Sequence, residues 1–277
     1  MKVTVLIENS ALDGFECEHG LSLLIEFNNN KYLLDAGQSG AFIGNAAAMG
    51  INLSDIKCAV LSHGHYDHAG GFEKFLEANP QTRIYAMRCA GGEFYSESGG
   101  MHYIGIPDII KDKYGDNFIY TDDVVLIDTG VYLVPHSTVG LEKIGKRAGL
   151  YEKINDKMMP DSFAHELSLV FDTPDGLVIF NSCSHAGMRN IMEEVKRVFS
   201  GRKVYAFVGG LHMKGVKDGR ECCTFSEEEL DELVEYALND GVEHIYTGHC
   251  TGSIGTDMLM KKTEIVNKLT TGMVIKM

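Results

Sequence analysis

The stretch Ser62-His63-Gly64-His65-Tyr66-Asp67-His68-Ala69-Gly70-Gly71 determines how the rest of this sequence is interpreted. The apolar and small residues that lead into it from Cys58 are typical of a short buried strand. The stretch contains four side chains of the kinds that ligate metals: His63, His65, Asp67 and His68. Neutral imidazole and carboxylate are the usual protein ligands of zinc and of other divalent first-row metals. We therefore predict two adjacent metal positions at a strand-to-helix turn, one met by the first two histidines and the other by Asp67 and His68.

Composition narrows the classes of protein to consider. The 277 residues are 44% hydrophobic and 23% charged, as in a soluble globular protein. The net charge of −14 disfavours nucleic acid and anionic membranes as partners, and no apolar run reaches the roughly 20 residues of a membrane span. Seven cysteines without paired spacing do not describe a disulfide framework. We expect a cytoplasmic protein with a small-molecule substrate; its oligomeric state stays open, a homo-oligomer included.

A strand-turn-strand pattern occurs twice in the chain at the same residue spacing, at 21–35 and again at 167–181. A glycine-containing loop and a helix follow each copy, and then a strand leads to a histidine motif, at 62–71 in the first half and at 209–212 in the second. This is one weak repeat and not a solenoid array. Because strands alternate with helices that are amphipathic on one face, the pattern predicts a four-layer α/β/β/α sandwich built from two pseudo-symmetric lobes.

The middle of the chain, at about 90–165, is rich in Gly, Tyr and Asp and has little helical periodicity. It is either an edge of the sheet with long decorations or a substrate-covering insertion, and long irregular segments favour the second. We predict a single domain, 1–277, that carries this insertion. The clearest helix follows later, where Ser226 and Glu229 have the spacing of a capping box.

Other candidate ligands stand at the ends of predicted strands. His249 follows a buried strand and lies near Gly248, while Cys183 and His185 lie in the segment 181–187 (NSCSHAG). Cys183 has the alternative of a small buried core residue. His212 follows two glycines and is predicted to contact substrate or to support the site, with a plain core role as the alternative.

Asp35 ends a buried strand. Ligating histidines need an acceptor for their second N–H group, which a carboxylate at this point could provide, and the alternative is an N-cap for the following helix. Four further histidines, His19, His102, His136 and His244, have no comparable context and are expected to be ordinary loop or surface residues. Two of them, His102 and His136, lie in the predicted insertion and have substrate contact as the alternative.

The spacing His63-x-His65-x-Asp67-His68 resembles the signature motif of the metallo-β-lactamase-fold superfamily. The resemblance implies the α/β/β/α fold, a bridging Asp or Cys near Cys183, and a histidine ahead of that strand, which His165 matches. The alternative for His165 is a solvent-exposed histidine or one that supports the ligands without binding the metal. Residues 245–249 (IYTGH) resemble the last ligand motif of the superfamily, as in glyoxalase II. The complete predicted ligand set is His63, His65, Asp67, His68, His165, Cys183, His185 and His249.

Three further segments, 182–187 (SCSHAG), 209–212 (GGLH) and 248–252 (GHCTG), together resemble the subgroup of the dihydropterin ribofuranosylaminobenzene phosphate synthase. That name implies a transferase which condenses a pterin pyrophosphate with an aryl amine, although the subgroup also contains proteins described as metal-dependent hydrolases. No pterin-specific residue pattern accompanies the three segments.

Three functions therefore remain. The first is a hydrolase that uses a metal-bound hydroxide on an ester, thioester or phosphodiester, because a divalent metal lowers the pKa of water from about 15.7 to about 7. Asp67 and Asp35 are its predicted catalytic carboxylates, Asp67 to orient the nucleophile or move its proton. The alternatives are a transferase acting on a pterin or phosphorylated small molecule, and an iron-loaded redox enzyme. The predicted cofactor is a pair of zinc ions, with iron or manganese as substitutes.

Overall fold

The computed structural model describes residues 1–277. The chain divides into two compact units. Unit 1 consists of Met1–Asp122, Val139–Leu167 and Thr270–Met277, and unit 2 consists of Asp123–Thr138 and Ser168–Leu269. None of the helices has both the length and the apolar character needed to cross a membrane.

The structure contains twenty strands and eight α-helices. The strands are β1 (Lys2–Ile7), β2 (Ser22–Phe27), β3 (Asn30–Leu34), β4 (Ile56–Val60), β5 (Ile84–Met87), β6 (Phe94–Ser96), β7 (His102–Tyr103), β8 (Phe118–Thr121), β9 (Val125–Asp128), β10 (Val131–Pro135), β11 (Leu150–Ile154), β12 (Lys157–Pro160), β13 (Leu167–Thr173), β14 (Gly176–Phe180), β15 (Val204–Val208), β16 (Lys214–Lys217), β17 (Arg220–Cys223), β18 (His244–Thr247), β19 (Val266–Lys268) and β20 (Val274–Lys276). The helices are α1 (Ala41–Ala48), α2 (Tyr66–Ala69), α3 (Phe72–Ala78), α4 (Asp108–Tyr114), α5 (Glu142–Ala148), α6 (Met188–Val198), α7 (Glu227–Asn239) and α8 (Gly252–Lys262).

Unit 1 is built on a seven-stranded sheet of order β20-β1-β2-β3-β4-β5-β8. The strands β1, β2 and β3 are antiparallel neighbours, whereas β3, β4, β5 and β8 run parallel. The β2–β3 turn passes through Asn28 and Asn29 at φ values of 47° and 63°, which asparagine adopts at low cost. Because parallel strands end at the same edge of a sheet, the segments that follow β3 and β4 emerge side by side.

The sheet of unit 2 has the order β9-β10-β13-β14-β15-β18-β19, in which β13 and β14 take the third and fourth places, as β2 and β3 do in unit 1. Its hairpin β13–β14 is antiparallel, and β14, β15, β18 and β19 run parallel. The hairpins β2–β3 and β13–β14 occupy equivalent places in the two sheets, as the repeat at 21–35 and 167–181 predicts. The segments after β14, β15 and β18 therefore emerge at one edge of this sheet.

The middle of the chain is divided among several sheets. The strand β8 extends the sheet of unit 1, and β9 and β10 extend the sheet of unit 2. The strands β6, β7, β11 and β12 form a separate four-stranded sheet within unit 1, in the order β12-β11-β6-β7. The edge-strand interpretation therefore describes part of this region, and the substrate-covering role remains a prediction.

The start of α7 is evident from the local sequence, whereas the start of α8 is not. The capping box at the start of α7 is present, with Ser226 Oγ accepting from the Glu229 amide and the Glu229 carboxylate accepting from the Ser226 amide. The sequence analysis predicted this helix and did not predict α8 after it. The N-cap residue Thr251 makes no capping hydrogen bond with its side chain, and the first turn is capped instead by Glu221, whose Oε1 accepts the Ser253 amide at 2.7 Å. Because Glu221 is distant in sequence and Gly252 and Gly255 weaken the helical pattern, the local sequence carries little signal for α8.

Candidate metal centre

Asp35 links the ends of β3 and β4 in unit 1. Its side chain is fully buried, and its backbone has a φ of 57°, which turns the chain sharply after the strand. Its Oδ1 accepts the Ser62 amide at 2.7 Å, and its Oδ2 accepts the Ser62 hydroxyl and the His68 Nδ1–H group, each at 2.7 Å. The carboxylate thus holds the histidine-rich loop at both ends, which is the orienting role predicted for it and not that of an N-cap for α1, whose N-cap residue is Gly40.

The hydrogen bonds of Ser62 determine which nitrogen of His63 carries the proton. A serine hydroxyl has one proton to donate, and Ser62 donates it to Asp35. Ser62 Oγ therefore accepts from His63 Nδ1, 2.8 Å away. His68 donates its Nδ1 proton to Asp35 directly. In the neutral form of each imidazole the lone pair consequently lies on Nε2, the tautomer that a metal ligand requires when its other nitrogen donates to an acceptor.

His65 completes a group of three neighbouring imidazoles. Its ring centroid is 4.5 Å from that of His63, which in turn is 4.2 Å from that of His68. Burial, reinforced by His165, lowers the pKa of His65 from 6.5 to about 3. His65 is therefore neutral at physiological pH, as a metal-binding imidazole must be.

Asp67 connects the three histidines to a residue that the sequence analysis assigned to an ordinary loop. Its Oδ2 lies 3.6 Å from His68 Nε2 and 3.3 Å from His19 Nε2. The His19 side chain is 47% exposed, whereas that of Asp67 is 10% exposed. No spacing rule could have found His19, because it reaches Asp67 through the fold and not along the chain.

His165 also lies in unit 1, where its ring centroid is 5.1 Å from that of His65. It contacts Asp161, a buried carboxylate that the sequence analysis did not select. One potential ligand atom from each of these three residues lies within 4.8 Å of the others.

The predicted residues of unit 2 gather at the edge where β14, β15 and β18 end. Cys183, His185 and His249 are all buried. The ligand atom of Cys183 is within 4.8 Å of one on His185 and of one on His249. His212, the predicted substrate contact, has its ring centroid 4.4 Å from that of His185. These four side chains therefore form one cluster within unit 2.

Asn181 occupies the position in unit 2 that Asp35 has in unit 1, and it organises the backbone. Its Oδ1 accepts the Ser184 amide at 2.7 Å, and its Nδ2 donates to Ser168 Oγ at 3.1 Å. Ser184 in turn donates to the Gly210 carbonyl at 2.7 Å. A Cβ at Gly209 would lie 1.8 Å from the Asn181 carbonyl oxygen, so only glycine allows the two strand ends to approach this closely.

Cys250 is a buried cysteine to which the sequence analysis assigned no role. Burial acts to raise the pKa of its thiol, but hydrogen bonds with Cys183 and His212, together with the nearby His249, lower the pKa well below 9.0. Its Sγ also lies 3.5 Å from the Cys183 carbonyl oxygen. The cluster of unit 2 thus contains two cysteines.

Both the sequence and the structure resemble those of known metal-dependent proteins. A family model for the metallo-beta-lactamase superfamily matches residues 16–88, which include Asp35 and the histidine-rich loop. A solved structure titled as a metal-dependent hydrolase of the beta-lactamase superfamily superposes with a TM-score of 0.78, at 27% identity and over 100% of this chain and 99% of that one. The chain belongs to the metallo-β-lactamase superfamily. The metallo-β-lactamase fold that the sequence predicts is confirmed.

Two proteins from Methanocaldococcus jannaschii are similar in sequence over most of this chain. One is a 7,8-dihydropterin-6-methyl-4-(beta-D-ribofuranosyl)-aminobenzene-5'-phosphate synthase, 29% identical over 295 aligned residues that cover 100% of this chain and 96% of the relative. The other is an uncharacterised protein, 30% identical over 263 residues and 90% of each chain. The subgroup resemblance stated from the three short segments is thereby supported along the whole chain.

The donor set suits the divalent metals that metallo-β-lactamase folds generally bind. Three imidazoles and a carboxylate lie together in unit 1, and the hydrogen bonds at Nδ1 of His63 and His68 leave Nε2 to face a metal. The individual ligand assignments, including Cys183, His185 and His249, remain predictions, as do the identity and the number of the metals.

Proposed function

We propose that this protein is a metal-dependent hydrolase acting on an ester, thioester or phosphodiester of a small molecule. The observation that carries the proposal is the orientation of two histidines by one buried carboxylate, Asp35, directly in one case and through Ser62 in the other. Such an arrangement fixes each ring with Nε2 directed away from its hydrogen-bond partner, as the second N–H bond of a metal-binding histidine does. Membership of the metallo-β-lactamase superfamily supports the same conclusion.

The proposed ligands in unit 1 are His63, His65, His68 and Asp67. A divalent ion held there supplies Lewis acidity and lowers the pKa of a water molecule toward neutrality. Asp67 orients the attacking water and accepts its proton. His19, in contact with Asp67 and half exposed, then offers the proton a path to solvent.

Cys183, His185 and His249 are the proposed ligands in unit 2, and the proposed metals are two ions, zinc in the first place and iron or manganese as alternatives. Support for these three residues is their grouping at one edge of the unit 2 sheet, and thiolate and imidazole are both zinc ligands. His212 is proposed to contact the substrate. The net charge of −14 supports a small molecule over nucleic acid or an anionic membrane as the partner.

Elemental analysis of protein purified without added metal or chelator tests the proposal first. We expect about two zinc, iron or manganese ions per chain, falling to one or none in the double variant His68→Ala, His249→Ala. His102→Ala is the matched control, since His102 is an exposed histidine whose Nδ1 contacts the Gly100 carbonyl. A wild-type protein without metal, or a double variant with the metal content of the control, would contradict the proposal.

A transferase is the second candidate, because the relative covering the whole chain is a synthase. The two reactions differ in the fate of water. Hydrolysis incorporates oxygen-18 from labelled water into the product, whereas condensation of a pyrophosphorylated substrate releases pyrophosphate without incorporating it. A panel of esters, thioesters and phosphodiesters, run beside a pterin pyrophosphate with an aryl amine, decides between them.

A further inference from the structure

The segment between β12 and β13 brings a second carboxylate and histidine to the metal loop of unit 1. Asp161 and His165 are both buried, and a hydrogen bond of 3.1 Å joins Asp161 Oδ2 to His165 Nε2. The other carboxylate oxygen, Oδ1, accepts the Phe163 amide at 2.7 Å. Phe163 itself is buried and adopts a φ of 54°, which is costly for an aromatic residue and indicates that the surrounding contacts hold this turn.

Both ring nitrogens of His165 have partners in the protein. His165 Nδ1 accepts the backbone amide of Gly64 at 3.0 Å, so this nitrogen carries no proton. The proton therefore lies on Nε2, which donates it to Asp161. Asp161 acts as an acceptor through both of its oxygens, with Oδ1 accepting the Phe163 amide and Oδ2 accepting the His165 Nε2–H group.

The Gly64 amide lies between two of the proposed ligands, His63 and His65. The loop is packed closely at this point, because a Cβ on Gly64 would lie 2.3 Å from the Ala90 carbonyl oxygen and 2.6 Å from Phe94. The Phe94 ring also packs on the His165 ring, with the centroids 3.9 Å apart. His165 is thus supported by an aromatic face and a carboxylate while it accepts the one N–H group that separates the two histidines.

We propose that His165 is a positioning residue and not a metal ligand, and that Asp161 and His165 together hold the Gly64 amide so that His63 and His65 face the same metal. This inference rests on the proposed function, since it assigns the two histidines as ligands. It is an alternative to the ligand role that the family resemblance implies for His165. Coordination by His165 would require the ring to give up either the Gly64 amide or Asp161, leaving a buried polar group unpaired at a cost of about 1–3 kcal/mol.

The alternative is an ion bound by His65, Asp161 and His165, whose ligand atoms lie within 4.8 Å of one another. The two arrangements predict different behaviour for His165→Asn. The asparagine side-chain oxygen can take the place of Nδ1 and accept the Gly64 amide, but asparagine provides no imidazole. His165→Ala removes the acceptor and the imidazole together. The asparagine variant therefore rescues a positioning role and not a ligand role.

The experiment combines cobalt titration with hydrogen exchange of the Gly64 amide. In wild type and His165→Asn, we expect the same number of cobalt ions per chain, the same visible absorption bands and affinities within about threefold. His165→Ala should keep the number and the bands but bind about 10–100-fold more weakly. In the metal-free proteins, the Gly64 amide should exchange at least about tenfold faster in His165→Ala than in the other two.

Loss of one cobalt ion or a changed spectrum in both variants would overturn the positioning role in favour of ligation. Gly64 exchange that is the same in all three proteins, or as fast in His165→Asn as in His165→Ala, would show that the hydrogen bond to His165 does not hold the loop. Wild-type protein that binds no cobalt would overturn the proposed function itself, and the exchange rates would still decide whether His165 holds Gly64.

Discussion

Replacing Ser62 by alanine should weaken metal binding without removing any proposed ligand. Ser62 Oγ is the acceptor for His63 Nδ1 and connects it to Asp35. Without the hydroxyl, the buried Nδ1–H group of His63 loses that acceptor and the ring can rotate away from its metal-binding orientation. Loss of such a supporting hydrogen bond typically reduces metal affinity about 10–100-fold, which is about 1.4–2.8 kcal/mol of binding free energy.

The direct link between His68 and Asp35 should limit the effect of Ser62→Ala. His68 keeps its bond to Asp35 Oδ2, and the backbone amide of residue 62 keeps its bond to Oδ1. The number of ions bound at saturation should therefore stay at the wild-type value while the dissociation constant rises. The assay is a titration of metal-free protein with zinc in competition with a chromogenic chelator.

Two control variants separate the relay from a general loss of packing. Ser62→Thr keeps the hydroxyl and should bind zinc within about threefold of wild type. Ser182→Ala removes a buried hydroxyl that makes no hydrogen bond, at the start of the loop after β14, and should likewise change the affinity by less than about threefold. The reasoning is refuted if Ser62→Ala binds zinc as tightly as wild type, or if Ser182→Ala weakens binding equally.

Three further predictions concern pH, packing and catalysis. The pKa of His65 in the folded protein, about 3, lies below its ordinary value of 6.5, so the contribution of His65 to the free energy of unfolding of the metal-free protein is fully present above pH 6.5 and is lost as pH falls toward 3. Between pH 7.5 and pH 5 the loss amounts to about 2 kcal/mol, and urea unfolding of His65→Gln should show that much less pH dependence. Gly209→Ala should destabilise the protein by about 3 kcal/mol or more, because the new Cβ would lie 1.8 Å from a backbone oxygen. Gly201 has a φ of 81°, but a Cβ added there would have no atom within 4 Å, so Gly201→Ala should cost only about 1 kcal/mol; equal losses of stability in thermal unfolding would contradict this account. Asp67→Asn should reduce kcat on the identified substrate by about 100-fold or more, and an unchanged kcat would exclude Asp67 as the proton acceptor.

Local spacing was sufficient to predict the features that a short segment builds by itself. The histidine-rich loop, the two strand-turn-strand copies and the capping box at Ser226 each depend on residues a few positions apart. Parallel neighbouring strands then bring the loops after them to one sheet edge, which is why Asp35 could be placed beside the loop that begins at Ser62. The prediction of the fold needed little more than this periodicity.

The remaining features had no local signal. His19 reaches Asp67, and Asp161 reaches the loop that contains Gly64, through contacts between segments far apart in the sequence. The lowered pKa of the Cys250 thiol likewise depends on Cys183 and His212, which come from two other strand ends. The helix α8 was missed because its N-cap residue makes no side-chain capping bond, and the side chain that caps its first turn, Glu221, lies about thirty residues away in the sequence.

The sequence by itself determined which residue types are available for metal chemistry and the fold class that presents them, since both follow from short-range spacing and hydrophobic periodicity. Only the tertiary structure decided which nitrogen of each imidazole carries the proton. The acceptors Asp35 and Asp161 belong to other segments of the chain, and they leave Nε2 of His63 and His68 for coordination while both nitrogens of His165 are already engaged. A histidine can coordinate through a ring nitrogen only if that nitrogen keeps its lone pair, and its hydrogen-bond partners are brought to it by the fold.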